Sequence, residues 1–128
     1  MRLYSFEKLN VWQKARELNK NIYLISNQFP NEEKFGLTSQ IRRAVISVSS
    51  NIAEGSSRKS GKEQARYTEI AYGSLLEVLN QIILANDLKY IDSATVLKTR
   101  ELIEEIGNKL NRLKESQINR KPNNQITK

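Results

Sequence analysis

The chain has 128 residues, with neither histidine nor cysteine, and carries 21 lysine and arginine residues against 14 acidic ones, a net charge of +7. This length suits one domain with a single hydrophobic core. Histidine and cysteine supply most metal ligands and most general bases and nucleophiles near neutral pH, so their absence excludes many metal sites and many catalytic mechanisms. We therefore expect a non-enzymatic protein without a cofactor or metal.

The same composition bears on the partners and location of the protein. An excess of positive charge favours anionic partners such as nucleic acid or acidic protein surfaces. No apolar run approaches the roughly 18 residues of a membrane span, and no signal-peptide pattern follows Met1. We expect a cytoplasmic protein with no membrane partner.

Apolar residues with heptad-like spacing predict a first helix over residues 9–28 and a second over residues 38–55. Phe29 and Pro30 end the first helix, because a residue before proline disfavours the helical conformation. Gly55 is the expected end of the second. The predicted core positions are Val11, Ala15, Leu18, Ile22, Ile25, Phe29, Leu37, Ile41, Val45, Val48 and Ile52.

Two further helices are predicted from capping residues. Ser60 and Glu63 have the spacing of a capping box, so a third helix of about 28 residues begins near Gly61. Asp92 is the expected N-cap of the fourth. Three short connections predict an all-α, antiparallel, up-down-up-down four-helix bundle over residues 1–115. Residues 116–128 are polar, net basic and contain Pro122, which predicts a disordered tail.

Three helices carry a second stripe about 100° from the predicted core face. Either these stripes widen the core, or they form the interface of a homo-oligomer, which is the interpretation we favour. The residues are Trp12, Arg16, Asn19 and Tyr23 on the first helix, Arg42, Ile46, Ser49 and Ala53 on the second, and Ile70, Gly73, Glu77 and Leu84 on the third.

A polar stripe on the second helix is the densest polar cluster of the sequence, formed by Arg43, Ser47, Ser50 and Glu54 with Asn51 and Arg58 beside them. It is either a solvated face with a Glu54–Arg58 ion pair, or a polar network at a subunit contact. A catalytic role is disfavoured because no histidine or cysteine is present to activate the serines.

Four basic residues, Arg58, Lys59, Lys62 and Arg66, cluster at the predicted loop before the third helix and along its first turns. Exposed amides and the positive end of the helix dipole also favour phosphate there. This cluster is our candidate nucleic-acid contact, and the alternative is a solvated basic loop.

Several segments resemble one family. Residues 40–55 (QIRRAVISVSSNIAEG), followed by Arg58, closely resemble the signature of four-helix bundle proteins called 23S rRNA intervening-sequence or S23 proteins. Residues 9–15 (LNVWQKA), Phe29-Pro30, residues 35–37 (FGL) and residues 70–77 (IAYGSLLE) also follow the family pattern. The resemblance covers about residues 6–91.

The resemblance implies a four-helix bundle that assembles into a ring-shaped homopentamer. Some members are encoded within intervening sequences of 23S rRNA genes, and others are accessory proteins of diversity-generating retroelements that engage nucleic acid and a reverse transcriptase. The family motif maps to Arg42, Arg43, Asn51, Glu54, Gly55 and Arg58, with Gly73 and Glu77 on the third helix.

Taken together, the net charge, the basic cluster and the resemblance predict a homo-oligomeric protein, pentameric as the resemblance implies, that binds RNA or DNA through phosphate contacts without reading bases or acts as an adaptor. The alternative is a structural or protein-interaction module with no direct nucleic-acid binding. A reverse transcriptase or another protein is a further candidate partner.

Overall fold

A computed structural model of the chain describes residues 1–120. Its four α-helices are α1 (Asn10–Ser26), α2 (Leu37–Ser56), α3 (Gly61–Asp87) and α4 (Ser93–Ile118). Short 3₁₀ segments, Ser5–Lys8 and Asn31–Glu33, precede α1 and α2. The predicted all-α class and the order of the helices are confirmed.

The helices pack in sequence around one core. Each helix contacts the next, and α1 also contacts α4, which closes the bundle. Arg42, in the second turn of α2, bonds through Nε to the Ser26 hydroxyl at the end of α1, at 2.8 Å. Thr68, near the start of α3, donates through its hydroxyl to Gln117 Oε1 at the end of α4, at 2.7 Å. Neighbouring helices therefore run antiparallel.

In α1 and α2 the core is built from the predicted heptad positions, and α3 adds Val78, which was not predicted. The largest fully buried side chains come from all four helices: Leu18, Ile22, Ile41, Val45, Val48, Leu75, Val78, Ile82, Ile106 and Leu110. At the edge of the core, Tyr72, Leu79 and Leu113 are partly buried and pack against it. Burial of one apolar stripe per helix is what makes these individually marginal helices stable.

The predicted N-caps of α3 and α4 are confirmed. Ser60 Oγ accepts a hydrogen bond from the Glu63 amide at 3.1 Å, and Asp92 Oδ1 accepts one from the Thr95 amide at 2.8 Å. Each cap satisfies an amide that has no partner within its helix. The Glu63 carboxylate lies 3.5 Å from the Ser60 hydroxyl, whereas the capping box predicted that it would bond to the Ser60 backbone amide.

Helix α4 runs three residues past the predicted start of the tail and ends at Ile118. The reason is Gln117, a polar residue that is only 8 % exposed and accepts a hydrogen bond from Thr68. A buried amide with a partner on α3 holds the last turn against the bundle. Residues 121–128, the remainder of the predicted tail, lie outside the described residues.

The structure also bears on membrane insertion. None of the helices within residues 1–120 combines the length and the apolar character needed to cross a lipid bilayer.

Candidate nucleic-acid interface

The connection between α2 and α3 is short and held by local hydrogen bonds. At the end of α2, the hydroxyls of Ser56 and Ser57 donate to the carbonyls of Ala53 and Glu54, each at 2.7 Å. Ser60 caps α3 from the other side. The backbone that carries the basic residues of this connection is therefore fixed by hydrogen bonds.

Arg58, the first residue of the predicted anion-binding cluster, binds within the chain. Its Nη2 donates to Glu54 Oε2 at 2.7 Å and to the Tyr67 hydroxyl at 2.8 Å, and its guanidinium carbon lies 4.7 Å from the centre of the Tyr67 ring. This places one arginine against a carboxylate and an aromatic ring at once. Arg58 therefore links α2 to α3, and the predicted Glu54–Arg58 ion pair is confirmed.

The other three cations of the cluster point into solvent. Lys59, Lys62 and Arg66 are all exposed. Within residues 1–120, none of them forms an ion pair. Their positive charges are thus available to an external anion, unlike that of Arg58.

Arg120 joins this end of the bundle and was missed in the sequence, where it lay in the predicted tail. Its Nη1 donates to Gln64 Oε1 at 2.6 Å, and Gln64 Nε2 donates to the Arg58 carbonyl at 2.9 Å. Gly61 permits the approach, because a Cβ there would collide with the Gln117 carbonyl oxygen. The sequence contains one signal that the chain remains packed here: Gln117 is polar but lies four residues after Leu113, at the next core-facing position of α4.

Charge is distributed unevenly along the bundle. The end formed by residues 2–9, 54–69 and 112–120, here called the basic end, holds nine lysines and arginines and five carboxylates. The opposite, acidic end, residues 27–38 and 84–95, holds two lysines and four carboxylates. The net charges are therefore +4 and −2. Such separation directs a polyanion toward one end of the molecule.

The acidic end is held by a buttress between its two loops. The Tyr90 hydroxyl donates to Glu33 Oε2 at 2.8 Å, while Glu33 Oε1 accepts from the Leu37 amide at 3.0 Å. The Leu37 amide, with help from Tyr90, lowers the pKa of Glu33 below its usual 4.5. The same contact with Glu33 raises the pKa of Tyr90. Glu33 is therefore a structural carboxylate.

The polar stripe of α2 divides between two environments. Ser47 Oγ lies 2.8 Å from Ser74 Oγ of α3, and Asn51 Nδ2 donates to the Ser47 carbonyl and hydroxyl at 2.8 and 3.0 Å. These side chains form a polar network inside the α2–α3 seam. Arg43 and Ser50, by contrast, are exposed.

Gly55 of the family motif has a packing role. A Cβ at this position would lie 2.7 Å from the Cβ of Tyr67. Glycine therefore lets the last turn of α2 approach α3 closely, which positions Tyr67 beneath Arg58.

The predicted second stripe of α1 is partly covered within the chain. Phe6 of the N-terminal 3₁₀ segment packs edge-on against Trp12, with ring centres 5.0 Å apart, and Arg16 lies over Trp12 at 5.3 Å. Arg42 of α2 lies 4.5 Å above the Tyr23 ring. Asn19 is half-buried, and its Oδ1 has no hydrogen-bond partner among residues 1–120. The α1 stripe thus combines internal packing with one unsatisfied acceptor.

The stripes of α2 and α3 are more open. Ile46 is 44 % exposed, with Ser49 and Ala53 half-buried near it on α2. On α3, every residue of the predicted stripe is exposed, and no atom lies within 4 Å of a Cβ built on Gly73. The exposed α3 stripe consists of Ile70, Gly73, Glu77 and Leu84.

This arrangement defines a class of protein: an antiparallel helical bundle with net positive charge at one end and net negative charge at the other. Within residues 1–120, no three acidic side chains come together in a way that suits a metal ion.

Comparison with known proteins identifies the family. The sequence model described as 23S rRNA-intervening sequence protein matches residues 7–112, and the chain belongs to this family. A crystal structure of a protein with unknown function from the S23 ribosomal protein family of Bacteroides thetaiotaomicron is similar, with 26% identity and a TM-score of 0.59. That match covers 84% of this chain and 94% of the other. No curated protein matches the chain. The family resemblance is confirmed, and the match extends beyond residue 91 into α4.

Proposed function

We propose that this protein is a non-enzymatic, cofactor-free, cytoplasmic RNA-binding protein that holds the phosphate backbone through its basic end. The observation that carries the proposal is the charge separation along the bundle, +4 at one end and −2 at the other. The family name, which refers to an intervening sequence of 23S rRNA, makes structured RNA the first ligand to test.

The contact residues at the basic end are cations with no competing partner. Lys59, Lys62 and Arg66 are exposed and unpaired within residues 1–120, and Arg120 is bonded to a neutral amide rather than to a carboxylate. Phosphate contacts of this kind position an RNA without reading its bases. Binding through them releases counterions and weakens steeply with salt.

We further propose that the protein works as a homo-oligomer, and the family resemblance makes a pentamer the expected form. The exposed α3 stripe supports self-association, because Ile70 and Leu84 present apolar surface and Gly73 has nothing packed over it. A helix-interior glycine costs roughly 1 kcal/mol relative to alanine, and a close contact with another copy would offset this cost. Several copies in one assembly would also multiply the phosphate contacts per particle.

The test measures mass first and binding second. Light scattering after size exclusion gives the mass relative to the 14.8 kDa chain. The resolved species is then titrated with a labelled structured RNA at several salt concentrations, and the slope of log affinity against log salt is compared between variants. The test variant carries Lys59→Gln, Lys62→Gln and Arg66→Gln. Its matched control carries Lys20→Gln, Lys98→Gln and Arg100→Gln, which removes the same charge from exposed positions elsewhere.

The two variants have equal net charge, so they separate local contact from general attraction. We expect the test variant to lose most of its affinity and its salt slope to fall by about 0.9 for each phosphate contact removed. The control should retain the wild-type salt slope, and its affinity should fall only slightly because its net charge is lower. Equal losses in both variants would overturn the basic end as the contact site.

The exposed α3 stripe also favours a second candidate function, that of a protein-interaction module. In that case the assembly forms but does not bind RNA even at low salt. A reverse transcriptase or another protein partner would then be sought by binding to the assembled form. Loss of such binding on Ile70→Asp, with the mass unchanged, would assign the α3 stripe to the partner rather than to self-association.

A further inference from the structure

A cleft of about 540 Å³ opens at the basic end, between the N-terminal 3₁₀ segment, the end of α2 and the last turns of α4. Two leucines form its apolar part, and the remaining lining side chains carry hydroxyl, amide or guanidinium groups. The lining residues are Ser5, Leu9, Ser56, Gln64, Leu113, Ser116, Gln117 and Arg120. The volume is within the roughly 300–1,000 Å³ typical of small-ligand sites.

The polar groups of the cleft are held in place by contacts behind it. Gln64 and Gln117 are only 7 % and 8 % exposed. Gln64 bonds to the Arg58 carbonyl on one side and to Arg120 on the other, and Gln117 accepts from Thr68. Arg120 is thus oriented by a neutral amide, and no carboxylate within residues 1–120 forms an ion pair with it. Groups fixed in this way bind a ligand with little ordering cost.

The cleft has features that a duplex backbone does not require. Phosphates of a paired stem need only surface cations, because the stacked bases are inside the helix. An apolar wall becomes useful only to a nucleotide whose base is free to leave the stack, and unpaired nucleotides are what proteins bind through base faces, base edges and 2′-hydroxyls. Serine hydroxyls and glutamine amides can donate to and accept from such groups.

We propose that this cleft binds one unpaired nucleotide of the RNA held by the basic end. The base lies against Leu9 and Leu113, and the phosphate is paired with Arg120. The Ser116 hydroxyl bonds to the sugar, and the Ser56 hydroxyl, which donates its own proton to the Ala53 carbonyl, accepts a hydrogen bond from it. The inference rests on the proposed function and adds to it a preference for RNA with a single-stranded extension or bulge. Because the described lining contains no aromatic ring, recognition depends on apolar contact and hydrogen bonds rather than stacking.

The first experiment compares two RNAs with equal numbers of phosphates. One is a hairpin with a short single-stranded 3′ extension, and the other is a blunt hairpin with a longer stem. Fluorescence anisotropy with the full chain should show about tenfold tighter binding of the extended hairpin, the effect of one additional charge-assisted contact. Equal affinity for both RNAs would overturn the cleft while leaving the proposed function intact. No binding to either RNA at low salt would overturn both.

Two pairs of variants locate the preference. Arg120→Gln removes the cation of the cleft, and Arg112→Gln removes the same charge from an exposed position of α4 outside it. Ser116→Trp fills the cleft from an exposed position, and Asn111→Trp places the same side chain elsewhere on α4. We expect Arg120→Gln and Ser116→Trp to abolish the preference. Ser116→Trp removes no charge and should keep the wild-type affinity for the blunt hairpin, whereas Arg120→Gln should weaken binding to both RNAs by the loss of one cation at the basic end. A preference that persists in both would overturn the assignment.

A direct test titrates the protein with adenosine 5′-monophosphate or inorganic phosphate and detects binding by NMR. The nucleotide should shift the methyl signals of Leu9 and Leu113 as well as the signals of Arg120. Phosphate alone should shift Arg120 and leave the leucine methyl signals in place. Identical responses to the two probes would mean that the cleft binds an anion only, which would overturn the nucleotide proposal.

Discussion

Gly61 opens α3 directly beneath the last turn of α4, and its replacement by alanine should destabilise the protein. The added methyl group would fall on the Gln117 carbonyl oxygen, inside van der Waals contact. This obstacle is backbone, and the buried Gln117 side chain anchors it, so it cannot rotate away. Overpacking of this kind costs roughly 1–3 kcal/mol, whereas the higher helix propensity of alanine returns less than about 1 kcal/mol. The net expectation is a loss of about 1–2 kcal/mol.

Urea denaturation followed by circular dichroism measures this change in the free energy of unfolding. Gly73→Ala is the matched control, because the same methyl group there has no atom within 4 Å in the chain. It should stabilise the isolated chain by up to about 1 kcal/mol. Both variants are measured at one protein concentration, and the mass of each is determined as well. If Gly73 lies in a subunit contact, Gly73→Ala would destabilise the assembly instead of stabilising the chain. If Gly61→Ala is neutral or stabilising, the close packing of α4 on α3 described above is incorrect.

Three further predictions concern other parts of the bundle. Because the pKa of Glu33 is lowered in the fold, its carboxylate stabilises the protein fully at pH values above its usual pKa of 4.5, and this contribution is lost as the pH falls through the lower folded-state pKa. Glu33→Gln should therefore reduce the loss of stability at acid pH in a stability–pH curve. An unchanged acid limb would contradict the hydrogen bonds of Glu33 with Leu37 and Tyr90. Ser47→Ala or Ser74→Ala should each cost about 1 kcal/mol, and the double variant less than the sum, because Ser47→Ala leaves the Ser74 hydroxyl without a partner and Ser74→Ala leaves the Ser47 hydroxyl with Asn51 alone. Strict additivity in a double-mutant cycle would exclude the hydrogen bond between the two serines. Arg58→Lys should lower the free energy of unfolding by about 1 kcal/mol with little effect on RNA affinity. Lys59→Gln should lower RNA affinity with little effect on stability. If denaturation and anisotropy show instead that Lys59→Gln destabilises the protein and Arg58→Lys weakens RNA binding, the roles of the two residues are exchanged.

The helices and the core were predictable from the sequence because they depend on local rules. Apolar spacing selected the buried residues of α1 and α2, and the short polar side chains of Ser60 and Asp92 marked the starts of α3 and α4. The end of α4 was not predictable in this way. Gln117 is buried because Thr68, distant in the sequence, offers it a hydrogen bond, and apolar periodicity carries no information about such a partner.

The candidate site was predictable only in part for the same reason. Four-residue spacing on a helix predicted the Glu54–Arg58 ion pair. It did not indicate that Tyr67 would approach Arg58 from the next helix and hold its charge within the chain. The spacing also did not indicate that Arg120 would take the place of Arg58 as an available cation at the basic end. The position of Arg120 depends on the close packing of α4 against α3, which Gly61 permits. Which cations are available to a ligand is decided by packing.

The uneven distribution of charge also acts before any contact is made. With +4 and −2 at opposite ends of a bundle as long as α3, whose 27 residues span about 40 Å, the molecule has a permanent electric dipole on the order of 500 debye. In the field of an approaching polyanion this dipole exerts a torque, which turns the basic end forward within the distance that salt leaves unscreened. The protein is thus oriented during diffusion, and a larger share of its collisions with a polyanion begins at the basic end.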